Sequence, residues 1–156
     1  MKIEKITICN LTSIEGKQVI DFTQEPLRSA GLFAITGDTG AGKSTILDAV
    51  CLALYNHAPR FENAERITGD DVKKNPNRAQ AISPTDVRGI LRRGCREALA
   101  AVEFTTTAGE RYEAKWTLRL KRTDNYGKVL RSLKRLAPHK ETLPGAEIDR
   151  RIPEII

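Results

Sequence analysis

One eight-residue stretch constrains this chain more than any other: Gly37-Asp38-Thr39-Gly40-Ala41-Gly42-Lys43-Ser44. It fits the phosphate-loop pattern G-x-x-x-x-G-K-[ST]. Its glycines permit backbone conformations and close approaches that a side chain would block. Successive N–H groups then converge into a nest for a β-phosphate. A helix starting near Lys43 adds its positive N-terminal end. Lys43 can reach the β- and γ-phosphates, and the Ser44 hydroxyl can bind Mg²⁺. The nucleotide-binding segment read this way is Gly37, Asp38, Thr39, Gly40, Ala41, Gly42, Lys43, Ser44 and Thr45, with ATP and Mg²⁺ as the implied cofactors.

The flanks suit such a loop. Leu32–Ile35 is apolar at every residue and predicts a central strand buried on both faces. Ile46, Leu47, Val50, Cys51 and Leu54 recur at three- and four-residue spacing through Tyr55, with alanines at most other positions. That predicts a helix buried on most of its sides. Upstream, Ile6 and Ile8 mark an opening strand, Asn10–Gly16 a loop, and Val19–Phe22 a second strand antiparallel to the first.

Downstream of the helix, residues 57–82 lack periodicity and form a connection unusually long for a compact domain. Ser83-Pro84-Thr85-Asp86 predicts a helix start, with Val87, Ile90 and Leu91 as its buried side. Ala100, Val102 and Phe104 alternate, Ala108-Gly109 turns, and Tyr112, Ala114, Trp116, Leu118 and Leu120 alternate strictly. This is a hairpin with one core face and one wet, mostly basic face. Val129–Ala137 fits a helix through Val129, Leu133 and Leu136 as well as a strand, and the turn spacing of a meander favours the third strand. Ala146–Ile156 predicts a helix that Pro153 should kink or restart. The fold class is therefore α/β, with an antiparallel β-meander beside the phosphate-loop strand and helix. Residues 1–56 form a phosphate-loop subdomain, 57–92 a long loop and short helix, and 93–156 the meander and C-terminal helix.

The 156 residues suit one domain or a fragment of a larger one. Hydrophobic residues at 40% and charged residues at 29% exclude wholesale disorder. The longest apolar run, Ala49–Tyr55, falls far short of the roughly 20 residues of a membrane helix. Lys2, Glu4 and Lys5 interrupt the N-terminal isoleucines, so no signal-peptide core is present. Cys9, Cys51 and Cys95 make neither a disulfide framework nor a metal knuckle. Together these point to a reducing cytoplasm.

Net charge is +6, unevenly spread. Residues 111–140 carry ten Lys and Arg against two acidic residues. Such asymmetry points toward a polyanion, most commonly nucleic acid. Lys115, Arg119, Lys121, Arg122, Arg131, Lys134 and Arg135 could follow phosphates without reading bases.

His57 and His139 read as solvated loop residues, Trp116 as core, and Asp48 as a residue that caps or pairs locally without a catalytic role. A complete ATPase also needs an acidic residue ending a second apolar strand. Glu103 is the only superficial match; it lies between Val102 and Phe104 in an alternating strand and reads as a wet-face residue. Neither a switch glutamine nor an LSGG-like segment is evident, so the chain reads as truncated.

The loop follows 36 residues and two antiparallel strands, which suggests an ABC-type ATPase. The resemblance then becomes specific. Residues 8–14 (Ile8-Cys9-Asn10-Leu11-Thr12-Ser13-Ile14), Ile20-Asp21-Phe22, Gly31–Gly37, Gly42–Ala49, Cys51–Tyr55 and Pro59-Arg60 resemble the N-terminal half-domain of the SMC-like ATPase subunits of DNA-repair exonucleases. The resemblance implies a split head whose C-terminal half, beyond a long coiled coil, supplies the signature segment and catalytic acid. It implies a second copy across an ATP-sandwiched dimer, a nuclease subunit and double-stranded DNA as partners. Many such relatives carry an Arg in the loop after the first strand; here that loop reads Asn10-Leu11-Thr12-Ser13. Two other readings remain: a self-contained small P-loop kinase or NTPase, and a nucleic-acid-binding module with a vestigial phosphate loop.

Overall fold

The computed structural model describes residues 1–30, 32, 34–62, 83–143 and 147–156. Six strands form a single sheet in the order β2-β1-β3-β4-β5-β6, with every neighbouring pair antiparallel. They are β1 (Lys2–Leu11), β2 (Ile14–Asp21), β3 (Glu97–Thr105), β4 (Arg111–Arg119), β5 (Leu130–Ala137) and β6 (Glu141–Leu143). Helix α1 (Lys43–Tyr55) packs across β1, β3 and β4, and α2 (Ile148–Ile155) lies beside it against β5.

Alternation decides which side of each strand meets the helices. Ile6 and Ile8 of β1, Ala98, Ala100, Val102 and Phe104 of β3, and Tyr112, Ala114, Trp116 and Leu118 of β4 are all buried. The opposite face is wet. There Lys5 pairs with Glu103 at 3.3 Å, and Arg111 joins Glu103 at 3.4 Å and Glu4 at 2.7 Å. Glu103 thus sits on the solvent side of an antiparallel strand, as its alternation implied.

Four sequence expectations are corrected. Of the predicted strand Leu32–Ile35, Phe33 lies outside the described residues. Leu32, Ala34 and Ile35 form no strand and are exposed, Leu32 at 93%. An apolar run becomes a central strand only where partners supply hydrogen bonds on both edges, and none pairs here among the described residues.

Helix α1 turns a different face to the sheet from the one predicted. Its buried ridge is Thr45, Asp48, Ala49, Leu52, Ala53 and Leu54. Of the predicted set only Leu54 is fully buried, and Leu47 is 63% exposed. Alanine lets a helix approach a sheet closely, and Ala49 and Ala53 meet a sheet whose β3 face also carries alanines at 98 and 100.

The helix predicted from Ser83 is a 3-10 turn, Val87–Ile90, capped by Asp86, whose side chain accepts from the Arg88 amide. Ile90 and Leu91 are buried as expected. The loop predicted over Asn10–Gly16 is instead a tight connection, Thr12-Ser13, between paired residues Leu11 and Ile14. Asn10 and Thr12 take positive φ, which lets β2 begin five residues earlier than Val19. Helix α2 runs through Pro153, with Ile148 and Ile152 buried. Residues 63–82 of the long connection and Ala146 lie outside the described residues.

Candidate functional site: the phosphate loop and its surroundings

The phosphate loop ends at Gly42, the N-cap of α1, with φ 94° and ψ 9°. An L-residue is strained in that region. A Cβ there would also meet Ile14 Cγ1 at 3.0 Å and Ser13 Oγ at 3.2 Å. The last loop glycine is therefore pressed against the β1–β2 connection. Gly40, also at positive φ, has open space around it.

Lys43 turns back over the loop. Its Nζ donates to the carbonyls of Gly37 at 2.6 Å and Asp38 at 2.7 Å. The Ala41 amide donates to the Asp38 carbonyl at 3.1 Å. Ser44 stands in the first turn of α1. An ammonium held over a glycine loop, a hydroxyl beside it and a helix N-terminus form a donor set that fits a polyphosphate and its Mg²⁺.

Thr45 faces inward. Its hydroxyl lies 2.7 Å from that of Thr12 and accepts from an Arg60 guanidinium nitrogen at 3.2 Å. Arg60 also binds Asp48, with Nε at 2.6 Å from Oδ2. Asp48 is a local pairing group as expected, but it is buried, and its partner lies twelve residues on. The β1–β2 connection is braced from behind. Arg92 donates to the carbonyls of Thr12 and Ser13, each at 3.1 Å, and pairs with Glu15 at 3.0 Å. Thr12 N donates to the Ile90 carbonyl at 2.9 Å.

Sequence reading missed Arg60 and Arg92 as parts of this site. Pro59-Arg60 stood out only within the resemblance, and Arg92 is one of several arginines near a turn. Arg92 meets partners up to 80 residues away in sequence, so local spacing carries no trace of it.

The basic candidates divide between the two faces of the sheet. In β4, Lys115 and Arg119 lie on the wet face; Arg119 pairs with Glu97 at 2.9 Å while remaining 81% exposed. Lys134 stands opposite Glu113, and Lys121 and Arg122 lie in the turn after β4. An open groove of 410 Å³ on this face brings Lys115 and Arg119 together with Lys17 and Lys128 over Leu99 and Leu130.

Arg131 and Arg135 do not join them. Each stands opposite a core residue, Trp116 or Tyr112, and so shares the helix side of the sheet. Arg131 donates to the Leu54 carbonyl at 2.8 Å and pairs with Asp149. Arg135 holds Glu110 at 3.1 Å and Glu141 at 2.6 Å.

Electrostatics follows the packing. Burial pushes the thiols of Cys9 and Cys51 above the ordinary range, with nearby carboxylates adding to it. The Arg88 side chain beside Asp86 holds that carboxyl below its usual value, helped by the Arg88 amide. No cluster of His, Cys, Asp or Glu suited to a metal ion occurs among the described residues, and none of their helices is long and apolar enough to cross a membrane.

A glycine loop closed by Lys43, capping a helix that lies on an antiparallel sheet, defines a P-loop ATPase domain. The comparisons agree. The chain belongs to the AAA domain family, whose model matches residues 5–151. It is 48% identical over 132 residues to the SbcC subunit of the nuclease SbcCD from Pseudomonas aeruginosa, covering 85% of this chain and 10% of that protein. It is 48% identical over 139 residues to the same subunit from Rhodobacter capsulatus, covering 86% of this chain and 11% of that one. A probable DNA double-strand break repair Rad50 ATPase of Aquifex aeolicus is 44% identical over 61 residues, covering 39% of this chain and 6% of its own length. The chain thus spans about a tenth of the length of the first two relatives. The resemblance read from residues 8–60 is borne out by these relatives.

Proposed function

We propose that this chain is the nucleotide-binding N-terminal half of a split ABC-type ATPase head, in an SMC-like subunit of a DNA-repair exonuclease complex. Gly37–Thr45 holds ATP, Lys43 lies along its phosphates, and the Ser44 hydroxyl holds Mg²⁺. ATP binding and hydrolysis regulate how a partner nuclease reaches DNA ends. The observation that carries this reading is the loop closed by Lys43 at the head of α1, in a chain 48% identical to SbcC proteins over most of its length.

A C-terminal half of the same head completes the site in this reading. Supporting it, Ile35 and Leu47 are exposed near the loop and on α1, where a partner surface would bury them. A second copy closes over the nucleotide. The wet basic face around Lys115, Arg119 and Lys121 follows duplex phosphates without sequence preference. Cytoplasmic residence follows from the same reading.

The experiment is calorimetric titration of Mg·ATP into the 156-residue chain and its Lys43→Ala variant. Losing the charge-assisted contact should weaken binding about ten- to hundredfold. Equal affinity in both sinks the assignment. Phosphate release by this chain should stay near background and rise when the C-terminal half is added. Robust turnover by the chain alone, abolished by Lys43→Ala, would favour a self-contained NTPase.

A further inference from the structure

We propose that Arg60 is a positioning residue for the phosphate loop, acting through Asp48 and Thr45 on the first turns of α1. This rests on the nucleotide-binding reading of Gly37–Thr45. Arg60 sits in a 3-10 turn, Pro59–Phe61, which follows the end of α1. Ala58 before it is fully buried and Phe61 packs on the core, so the turn is fixed and the guanidinium is carried back along the helix.

The contact is specific to arginine. The Asp48 side chain is only 3% exposed, and a carboxylate so buried needs a paired cation. Two guanidinium nitrogens, Nε and one terminal nitrogen, converge on its Oδ2. That terminal nitrogen also donates to Thr45 Oγ1 at 3.2 Å. A lysine could neutralise Asp48 but could not reproduce this forked geometry.

Thr45 Oγ1 is the junction. It receives the Arg60 N–H, which leaves its own hydrogen available to Thr12 Oγ1, 2.7 Å away. Thr12 is in turn held by Ile90 and Arg92. Thr45 directly follows Ser44 and Lys43, so fixing its side chain fixes the turn from which both project. Asp48 holds the guanidinium in place, and Thr45 carries its effect to the loop. Its effect on bound phosphate is indirect, through the direction of α1's first turn.

The test uses the 156-residue chain with Arg60→Lys, Thr45→Val and the double variant. Arg60→Lys keeps a cation on Asp48, so its unfolding midpoint should stay close to the parent. Three readouts are taken: Mg·ADP affinity by titration, the unfolding midpoint, and the backbone amide resonances of Lys43, Ser44 and Thr45 without nucleotide. Arg60→Lys should weaken Mg·ADP about three- to tenfold and shift those amides. Thr45→Val should do the same, and the double variant should lose no more than the worse single one.

Parent-like affinity and unshifted amides in Arg60→Lys would overturn the proposal. So would fully additive losses in the double variant, or a loss of affinity seen only near the unfolding midpoint. If the parent itself fails to bind Mg·ADP but the amides still shift, the nucleotide reading fails and the positioning role stands.

Discussion

The indole Nε1 of Trp116 donates a 2.9 Å hydrogen bond to Oδ1 of Asn56, the residue that ends α1 in a left-handed conformation with φ 53°. One side chain therefore does two things. It tolerates a backbone that most residues resist, and it satisfies the only polar side-chain atom of a fully buried tryptophan. Asn56→Ala should lose both, leaving a buried donor unpaired at about 1–3 kcal/mol and adding about 1–2 kcal/mol of backbone strain. Asn56→Gly should lose only the hydrogen bond to the indole, and Asn56→Asp should keep an acceptor. Urea unfolding should rank the variants in that order, with alanine worst.

Gly42 and Gly109 both have positive φ, 94° and 80°, but differ in surroundings. A Cβ at Gly109 meets nothing within 4 Å, whereas one at Gly42 meets Ile14 and Ser13. Alanine at either should cost about 1–2 kcal/mol through strain alone. Only Gly42→Ala should also weaken Mg·ATP binding, because it displaces the loop from the β1–β2 connection. Unfolding midpoints and nucleotide titrations on both variants separate the two effects.

The wet and helix faces of the sheet should separate in mutagenesis. Replacing Lys115, Arg119 and Lys121 with Gln should weaken duplex binding and lower its log–log salt slope by about 2–3. ATP binding should persist. Arg131→Met should act mainly on stability, because the Arg131 side chain is 11% exposed and bridges the Leu54 carbonyl to Asp149. Normal duplex binding by the triple variant across a salt series would show that this face is merely solvated.

Asp86 gives the chain an acid-sensitive corner. The Arg88 side chain and amide hold its carboxyl below the ordinary value, about 3.9 in an unfolded chain. Because the folded value is the lower one, its contribution is complete above the unfolded value. It is lost as pH falls through the folded value. Asp86→Asn should therefore flatten the acid limb of a stability profile, with the gap from the parent closing below about pH 4. Urea midpoints of both proteins, taken from about pH 6 downward through the ordinary carboxylate range, measure this.

What could be read in advance followed from how local the physical demand is. The phosphate loop was legible because glycine spacing and Lys43 act within eight residues. The hairpin of β3 and β4 was legible because one alternation writes both strand and face. The buried ridge of α1 was not, because hydrophobicity favours Leu47 and Val50 while close packing favours Ala49 and Ala53. Nor were the positions of Arg131 and Arg135. Their side of the sheet depends on the register of β5 against Trp116 and Tyr112, and the turn after β4 hides that register.

Helix α1 is fastened at each end. Thr45 ties its first turn to Thr12, while Arg131 on the Leu54 carbonyl and Trp116 on Asn56 tie its last to β5 and β4. Between Ala34 and Ala41, by contrast, the one main-chain hydrogen bond among the described residues is that from Ala41 to Asp38. Helix and sheet thus behave as an anvil, and the eight residues 34–41 ahead of Gly42 are the compliant part. On the nucleotide-binding reading proposed above, a phosphate arriving at Lys43 would compete with the carbonyls of Gly37 and Asp38 for the same ammonium, and the adjustment would be taken up in that short segment while the block beneath it holds its shape.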